Sequence, residues 1–108
     1  MENGAVVGIA QRNQVMTENS DAARLLFSES RFGAVLHDGR VTLSFFEALY
    51  LVEKERLTVV DGRQKPVSFE RLVKRMAAVV HDGWMKYCVF RDLRNRGYII
   101  KTALKFGA

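Results

Sequence analysis

The chain has few of the residues that build special chemistry or special geometry. Its 108 residues include one cysteine and one proline. A lone Cys88 excludes an intramolecular disulfide framework and any cysteine-based zinc site. Long hydrophobic runs are also missing, and no stretch approaches the ~20 apolar residues that a membrane helix needs. The opening Met1-Glu2-Asn3-Gly4 lacks the basic start of a secretory signal. With 48% hydrophobic residues the chain is too apolar to be disordered. These exclusions leave the expectation of a soluble, cytoplasmic protein with about one small domain's worth of length.

Charge is unevenly placed. The net charge is +5, yet residues 1–60 carry 6 Lys/Arg against 8 Asp/Glu, and residues 61–108 carry 11 against 4. From Trp84 onward the cations are Lys86, Arg91, Arg94, Arg96, Lys101 and Lys105, with Asp92 the sole acid. A clustered basic segment is the footprint of a polyanion partner, usually a nucleic acid. The same charge also serves as a solubilising face.

The pattern of apolar residues predicts an α+β domain: a small antiparallel or mixed sheet with packed helices. Val6–Ala10 and Val15-Met16 read as strands around a polar turn. Asn19-Ser20-Asp21 offers a cap for a helix carrying Ala22, Leu25 and Leu26. Ala34–His37 and Arg40–Leu43 flank Asp38-Gly39, which predicts a hairpin with a tight type I′ turn. Ser44 and Glu47 stand three apart, as in a capping box, ahead of an apolar helix. Leu57–Val60 reads as a strand, with a second turn at Asp61-Gly62. Pro66 and Ser68 precede a stripe of Phe69, Leu72, Val73, Met76, Ala77 and Val80 at helical spacing, with Arg71, Lys74 and Arg75 facing solvent.

His81-Asp82-Gly83 breaks that pattern and marks a boundary, giving an N-terminal α+β domain over 1–82 and a second unit over 83–108. In the second unit a helix from Trp84 to Arg96 is expected to bury Met85, Val89 and Leu93, with Trp84, Tyr87, Cys88 and Phe90 widening that line. Gly97 suits a left-handed cap, and Tyr98–Phe106 alternates like a strand. One helix and one strand cannot close a core, so the chain is expected to end inside an incomplete domain.

The run from Tyr87 to Ala108, with Arg91-Asp92-Leu93-Arg94, Arg96-Gly97-Tyr98 and Lys101-Thr102-Ala103-Leu104-Lys105-Phe106-Gly107, resembles the opening of the catalytic domain of tRNA-splicing (tRNA-intron) endonucleases. The run Leu43–Glu53 resembles their N-terminal domain in its archaeal form. Phe90 stands where that family usually has Tyr, and Ala103 where it has Gly. The resemblance implies that residues 83–108 begin an α/β nuclease domain. It also implies a metal-independent, cofactor-free endoribonuclease that cuts precursor tRNA at both intron boundaries, within a bulge–helix–bulge shape. The 2′-hydroxyl attacks the neighbouring phosphate and leaves 2′,3′-cyclic phosphate and 5′-hydroxyl ends. That chemistry needs a general base, a general acid and a cation at the transition state. The family's Tyr, His and Lys supply them from a part that would follow Ala108, so no catalytic residue maps onto this chain, which alone is expected to be inactive. The partners implied are precursor tRNA and further endonuclease subunits.

Arg91, Arg94, Arg96, Lys101 and Lys105 are the candidate RNA contacts, since phosphate recognition needs only approximate placement of charge. Arg91 and Arg94 are helix neighbours, Arg96 is turned away, and Lys101 and Lys105 share a strand face. His37 and His81 sit in turn sequences and lack metal-ligand spacing. Cys88 lies in an apolar helix and reads as a small core residue. A non-catalytic structural unit of the same assembly is one alternative. A winged-helix-like module with residues 84–96 as recognition helix is another.

Overall fold

The computed structural model describes residues 6–99. In chain order the elements are β1 (Val6–Ala10), β2 (Val15–Thr17), α1 (Asp21–Ser28), β3 (Ala34–Val35) and β4 (Val41–Leu43). They are followed by α2 (Phe45–Glu53), β5 (Leu57–Val60), α3 (Phe69–Val79) and α4 (Gly83–Asn95). The strands form one mixed sheet in the order β3-β4-β2-β1-β5. Pairing is antiparallel except between β1 and β5, which run parallel with Val6 opposite Leu57 and Ile9 opposite Val60. The expected α+β class with a small mixed sheet is what the chain forms.

Alternation sets the buried face. In β1 the side chains of Val6 and Ala10 point inward while Val7 and Ile9 face out. Beyond β5 the chain turns back on the strand's outer edge. Val60 bridges to Pro66, and the Val67 amide donates to the Val59 carbonyl at 2.8 Å.

Helix α2 is the centre of the core. Its start is fixed by Ser44, whose hydroxyl accepts the Glu47 amide at 3.1 Å, while the Glu47 carboxylate accepts the Ser44 amide at 3.0 Å. This is the expected capping box. Glu47 is itself buried, and its other oxygen accepts the Gly33 amide at 2.9 Å, so the cap also ties down the loop before β3. Gly33 is required there. Its φ is +72°, and a Cβ would stand 2.3 Å from the Thr42 carbonyl oxygen. Around α2, Phe45, Phe46, Ala48, Leu49 and Leu51 are all buried, as suits a helix packed on several sides. Each large apolar side chain so buried contributes about 1.5–3 kcal/mol.

Helix α3 starts at Ser68, which caps through the Arg71 amide at 3.2 Å, and buries Leu72 and Met76. Ala77, expected on the buried stripe, is exposed, because the contact with α2 is narrower than the apolar pattern. A left-handed Asp82 (φ 52°) then turns the chain into α4.

The expected buried line of α4 is rotated. Met85 and Val89 are 60% and 46% exposed, whereas Tyr87 and Phe90 are fully buried. The cause is the aromatic density of α2. Phe46 meets Tyr87 and Phe90 at ring-centroid distances of 6.2 and 5.8 Å, and Tyr50 takes the edge of Phe90 at 6.2 Å. Gly97 closes the helix with φ +94°, and the Tyr98 amide reaches back to the Leu93 carbonyl at 3.0 Å, as the cap glycine implies.

One turn differs from expectation. In the β3–β4 connection the Leu36 amide donates to the Arg40 carbonyl at 2.7 Å, which leaves a loop of three residues, 37–39, in which Gly39 has a positive φ and Asp38 does not, so it is not type I′. Asp38 instead accepts the Arg40 amide at 3.0 Å and the Arg40 Nε at 2.8 Å, which favours the wider loop. The second turn forms where Asp61-Gly62 announces one, with the positive φ on Gln64. The strand expected over Tyr98–Phe106 lies outside the described residues, apart from Tyr98 and Ile99, which have no regular structure. No helix among the described residues is long and apolar enough to cross a membrane.

Candidate nucleic-acid interface

Helix α4 holds Arg91, Arg94 and Arg96 in three different environments. The Arg91 guanidinium lies on Glu53, with Nη1 at 3.0 Å from Oε2 and 3.2 Å from Oε1. The same carboxylate accepts the Tyr87 hydroxyl. Arg91 also stands over the Tyr87 and Trp84 rings, at 5.4 and 5.6 Å from their centroids. Burial pushes the Tyr87 phenol up, and the bond to Glu53 and its charge push it further. Desolvation disfavours the Arg91 cation, but the hydrogen bond and charge of Glu53 override it and leave Arg91 above its ordinary value.

Arg94 faces the other flank of the helix. Its guanidinium stacks over Phe32 at 3.8 Å from the ring centroid. Nη2 donates to the Ser30 and Arg31 carbonyls at 3.2 and 3.0 Å, and Nε is buried without a partner among the described residues. Desolvation draws Arg94 below its ordinary value, against the opposing charge of Glu47, and the group remains a cation at any physiological pH. Arg96 is exposed and pairs with Asp92 one turn back at 3.1 Å. Lys101 and Lys105 lie outside the described residues. Thus Arg91 and Arg94 hold α4 to α2 and to the loop after α1, and Arg96 projects into solvent.

A second group of cations gathers where β5 turns into α3. Asp61 accepts the amides of Arg63 and Lys65 at 2.8 and 3.0 Å, and its own amide donates to the Lys65 carbonyl at 2.9 Å. Those backbone bonds, first from Lys65 and then from Arg63, hold its carboxyl below the usual value, aided by the charges of Arg71 and Lys65. The Arg63 and Lys65 side chains stand exposed on this pinned loop. On α3, Arg71, Lys74 and Arg75 fall at i, i+3 and i+4 and share one face. Counting charge along the sequence points to the segment after Trp84 and passes over this group. The signal for it is the helical spacing of 71, 74 and 75 behind a turn that carries two more cations.

His37 lies in the β3–β4 loop, and exposed His81 sits 3.3 Å from the Asp82 carboxylate. Cys88 is half-buried, with Arg91 Nη2 3.7 Å from its sulfur. No cluster of three or more His, Cys, Asp or Glu that could hold a metal occurs among the described residues.

Fold and side chains together define a small α+β domain with a basic flank. The sequence pattern described as the tRNA intron endonuclease N-terminal domain matches residues 8–73, and the chain belongs to that family. It is 40% identical over 96 residues to a tRNA-splicing endonuclease of Thermococcus onnurineus, covering 89% of this chain and 55% of that protein. With the tRNA-splicing endonuclease of Methanococcus vannielii it shares 41% over 81 residues, 75% of this chain and 45% of that one. The corresponding figures for Methanothermobacter thermautotrophicus are 38% over 96 residues, 87% and 53%. The chain spans about half the length of these relatives.

Proposed function

We propose that the chain is part of a tRNA-splicing endonuclease that cleaves precursor tRNA at intron boundaries. The observation that carries this reading is the 40% identity to an enzyme of that name across 89% of the chain, running through α4 beyond the N-terminal family pattern. In this reading residues 1–82 form the N-terminal domain and residues 83–108 begin the nuclease domain, with α4 as the join. The two faces of α4 support it: Tyr87 and Phe90 enter the core below, while Met85 and Val89 offer an apolar outer face to a continuing domain.

The chemistry proposed is the family's. A 2′-hydroxyl attacks the adjacent phosphate without a metal, and the ends left are a 2′,3′-cyclic phosphate and a 5′-hydroxyl. The catalytic Tyr, His and Lys come from a polypeptide beyond these 108 residues, and active assemblies contain more than one unit. Arg96, Lys101 and Lys105 are the members of the α4 set that remain proposed as phosphate contacts, since Arg91 and Arg94 are held by Glu53 and by carbonyls.

The test joins the chain to the second half of the Thermococcus onnurineus relative and supplies intron-containing precursor tRNA with a metal chelator. Cleavage into fragments with cyclic phosphate ends by the joined protein, and none by the 108-residue chain, is the expected result. Cleavage by the short chain alone overturns the assignment of the catalytic residues. A metal requirement overturns the proposed chemistry.

A further inference from the structure

We infer that the β5–α3 corner is a second RNA-binding surface, on which Arg63, Lys65, Arg71 and Lys74 contact the phosphodiester backbone. It rests on the proposed role in tRNA processing and adds a site on the N-terminal domain.

Two cations of α4 are spent on the fold, and a third is shared with an exposed carboxylate. Arg91 faces a carboxylate, Arg94 faces two carbonyls and an aromatic ring, and Arg96 pairs with Asp92. Arg63, Lys65, Arg71 and Lys74 form no ion pair with any described residue, and all four are exposed. An exposed unpaired cation gives up little hydration and no existing partner when it meets a phosphate, and it releases a counterion from the nucleic acid.

The acids nearby, Asp61 and Glu70, offset only part of this charge, since Arg63, Lys65, Arg71 and Lys74 outnumber them. Asp61 already accepts two backbone amides, and Glu70 makes no ion pair with Lys74 one turn on. The corner is also rigid. Asp61 pins the loop from inside, and the Val60–Pro66 bridge and the Val67 amide pin it to the sheet. Little loop entropy is therefore lost on binding. Parallel pairing of β1 with β5, with Ile9 opposite Val60, sets the β1–β2 turn and its exposed Arg12 at the same end of the sheet. An apolar hollow lined by Phe69, Glu70, Val73, Lys74 and Trp84 borders this face. Its few polar groups give no base-edge pattern to read, so binding is by charge and tolerates sequence.

The test uses the 108-residue chain and a fluorescently labelled RNA hairpin, with anisotropy titrations between ~50 and ~200 mM salt. The variant is Arg63→Gln/Lys65→Gln/Arg71→Gln. The control, Arg31→Gln/Lys54→Gln/Arg56→Gln, removes equal charge around the opposite end of β5. The corner variant is expected to bind about tenfold more weakly, with the slope of log affinity against log salt reduced by about two to three. The control is expected to lose less than about threefold through net charge alone. Thermal melting checks that both variants stay folded. If the two behave alike while the parent chain binds RNA, the corner is overturned and the RNA-processing reading stands. If the parent chain binds no RNA at the lowest salt, both fall for this chain. Displacement by poly-glutamate as effective as by unlabelled RNA at equal charge also overturns the inference, in favour of an acidic protein segment.

Discussion

Replacing Arg94 by Met separates two roles that the sequence leaves merged. Met keeps much of the side chain's stem over Phe32 and removes the guanidinium. Lost are the donors to the Ser30 and Arg31 carbonyls, at 3.2 and 3.0 Å, and the cation on the ring at 3.8 Å. Hydrogen bonds from a charged donor contribute about 1.5–3 kcal/mol each, and the ring contact about 0.5–1 kcal/mol. Against this stand water's access to the freed carbonyls and relief of the buried Nε, a gain of about 1–3 kcal/mol. The net loss is about 3 kcal/mol, which lowers the melting temperature by roughly 15 °C in a domain of this size. Circular dichroism melts and urea titrations read it, with the urea slope unchanged because the surface exposed on unfolding is unchanged. Arg94→Lys keeps the charge but not the planar stack, so it should fall between. Arg96→Met, whose partner is an exposed Asp92, should cost less than about 0.5 kcal/mol. A melting temperature for Arg94→Met within about 3 °C of the parent, together with weakened RNA binding, would refute the reasoning and return Arg94 to the RNA contacts.

Other outcomes follow from the same geometry. Gly33→Ala, forced to φ +72° with its Cβ 2.3 Å from the Thr42 oxygen, should lose about 3 kcal/mol in urea unfolding. Tyr87→Phe leaves Glu53 bound to Arg91 and should cost about 1 kcal/mol, whereas Tyr87→Ala opens the aromatic cluster and should cost about 4 kcal/mol. The folded-state pKa of Asp61 is depressed, so its contribution to stability is complete above the unfolded value near ~4 and fades as pH falls through the folded one. Asp61→Asn should therefore flatten the fall in stability below about pH 4 in urea titrations, and an unchanged slope counts against that loop's role.

Local chemistry was legible wherever a side chain acts on its own backbone. Ser44 with Glu47, Ser68 before α3 and Gly97 after α4 each carry out what their residue types announce. The face of α4 was not legible. Met85, Val89 and Leu93 form as good an apolar stripe as Tyr87 and Phe90, and the choice between them belongs to Phe46 and Tyr50, which are distant in sequence. The same holds for the cations. Spacing shows that Arg91 and Arg94 are close on a helix. It cannot show that Glu53 and the carbonyls of Ser30 and Arg31 meet them there. The Asp38-Gly39 loop differs by one residue because the Asp38 carboxylate reaches forward to Arg40, a bond that the turn pair alone does not announce. The Arg63–Lys65 corner went unseen because its charge is gathered by a turn and a helix face rather than by consecutive residues.

The sheet's two borders restrict how this domain can meet another macromolecule. On one side the Pro66 segment lies along β5, and proline brings no amide for a further strand. On the other, β3 is two residues long. Among the described residues, neither border offers a long ladder on which a foreign strand could extend the sheet. The domain is thereby guarded against edge-to-edge aggregation. Partners must read it through the side chains of its helices and loops, where single substitutions can tune recognition without disturbing the backbone beneath.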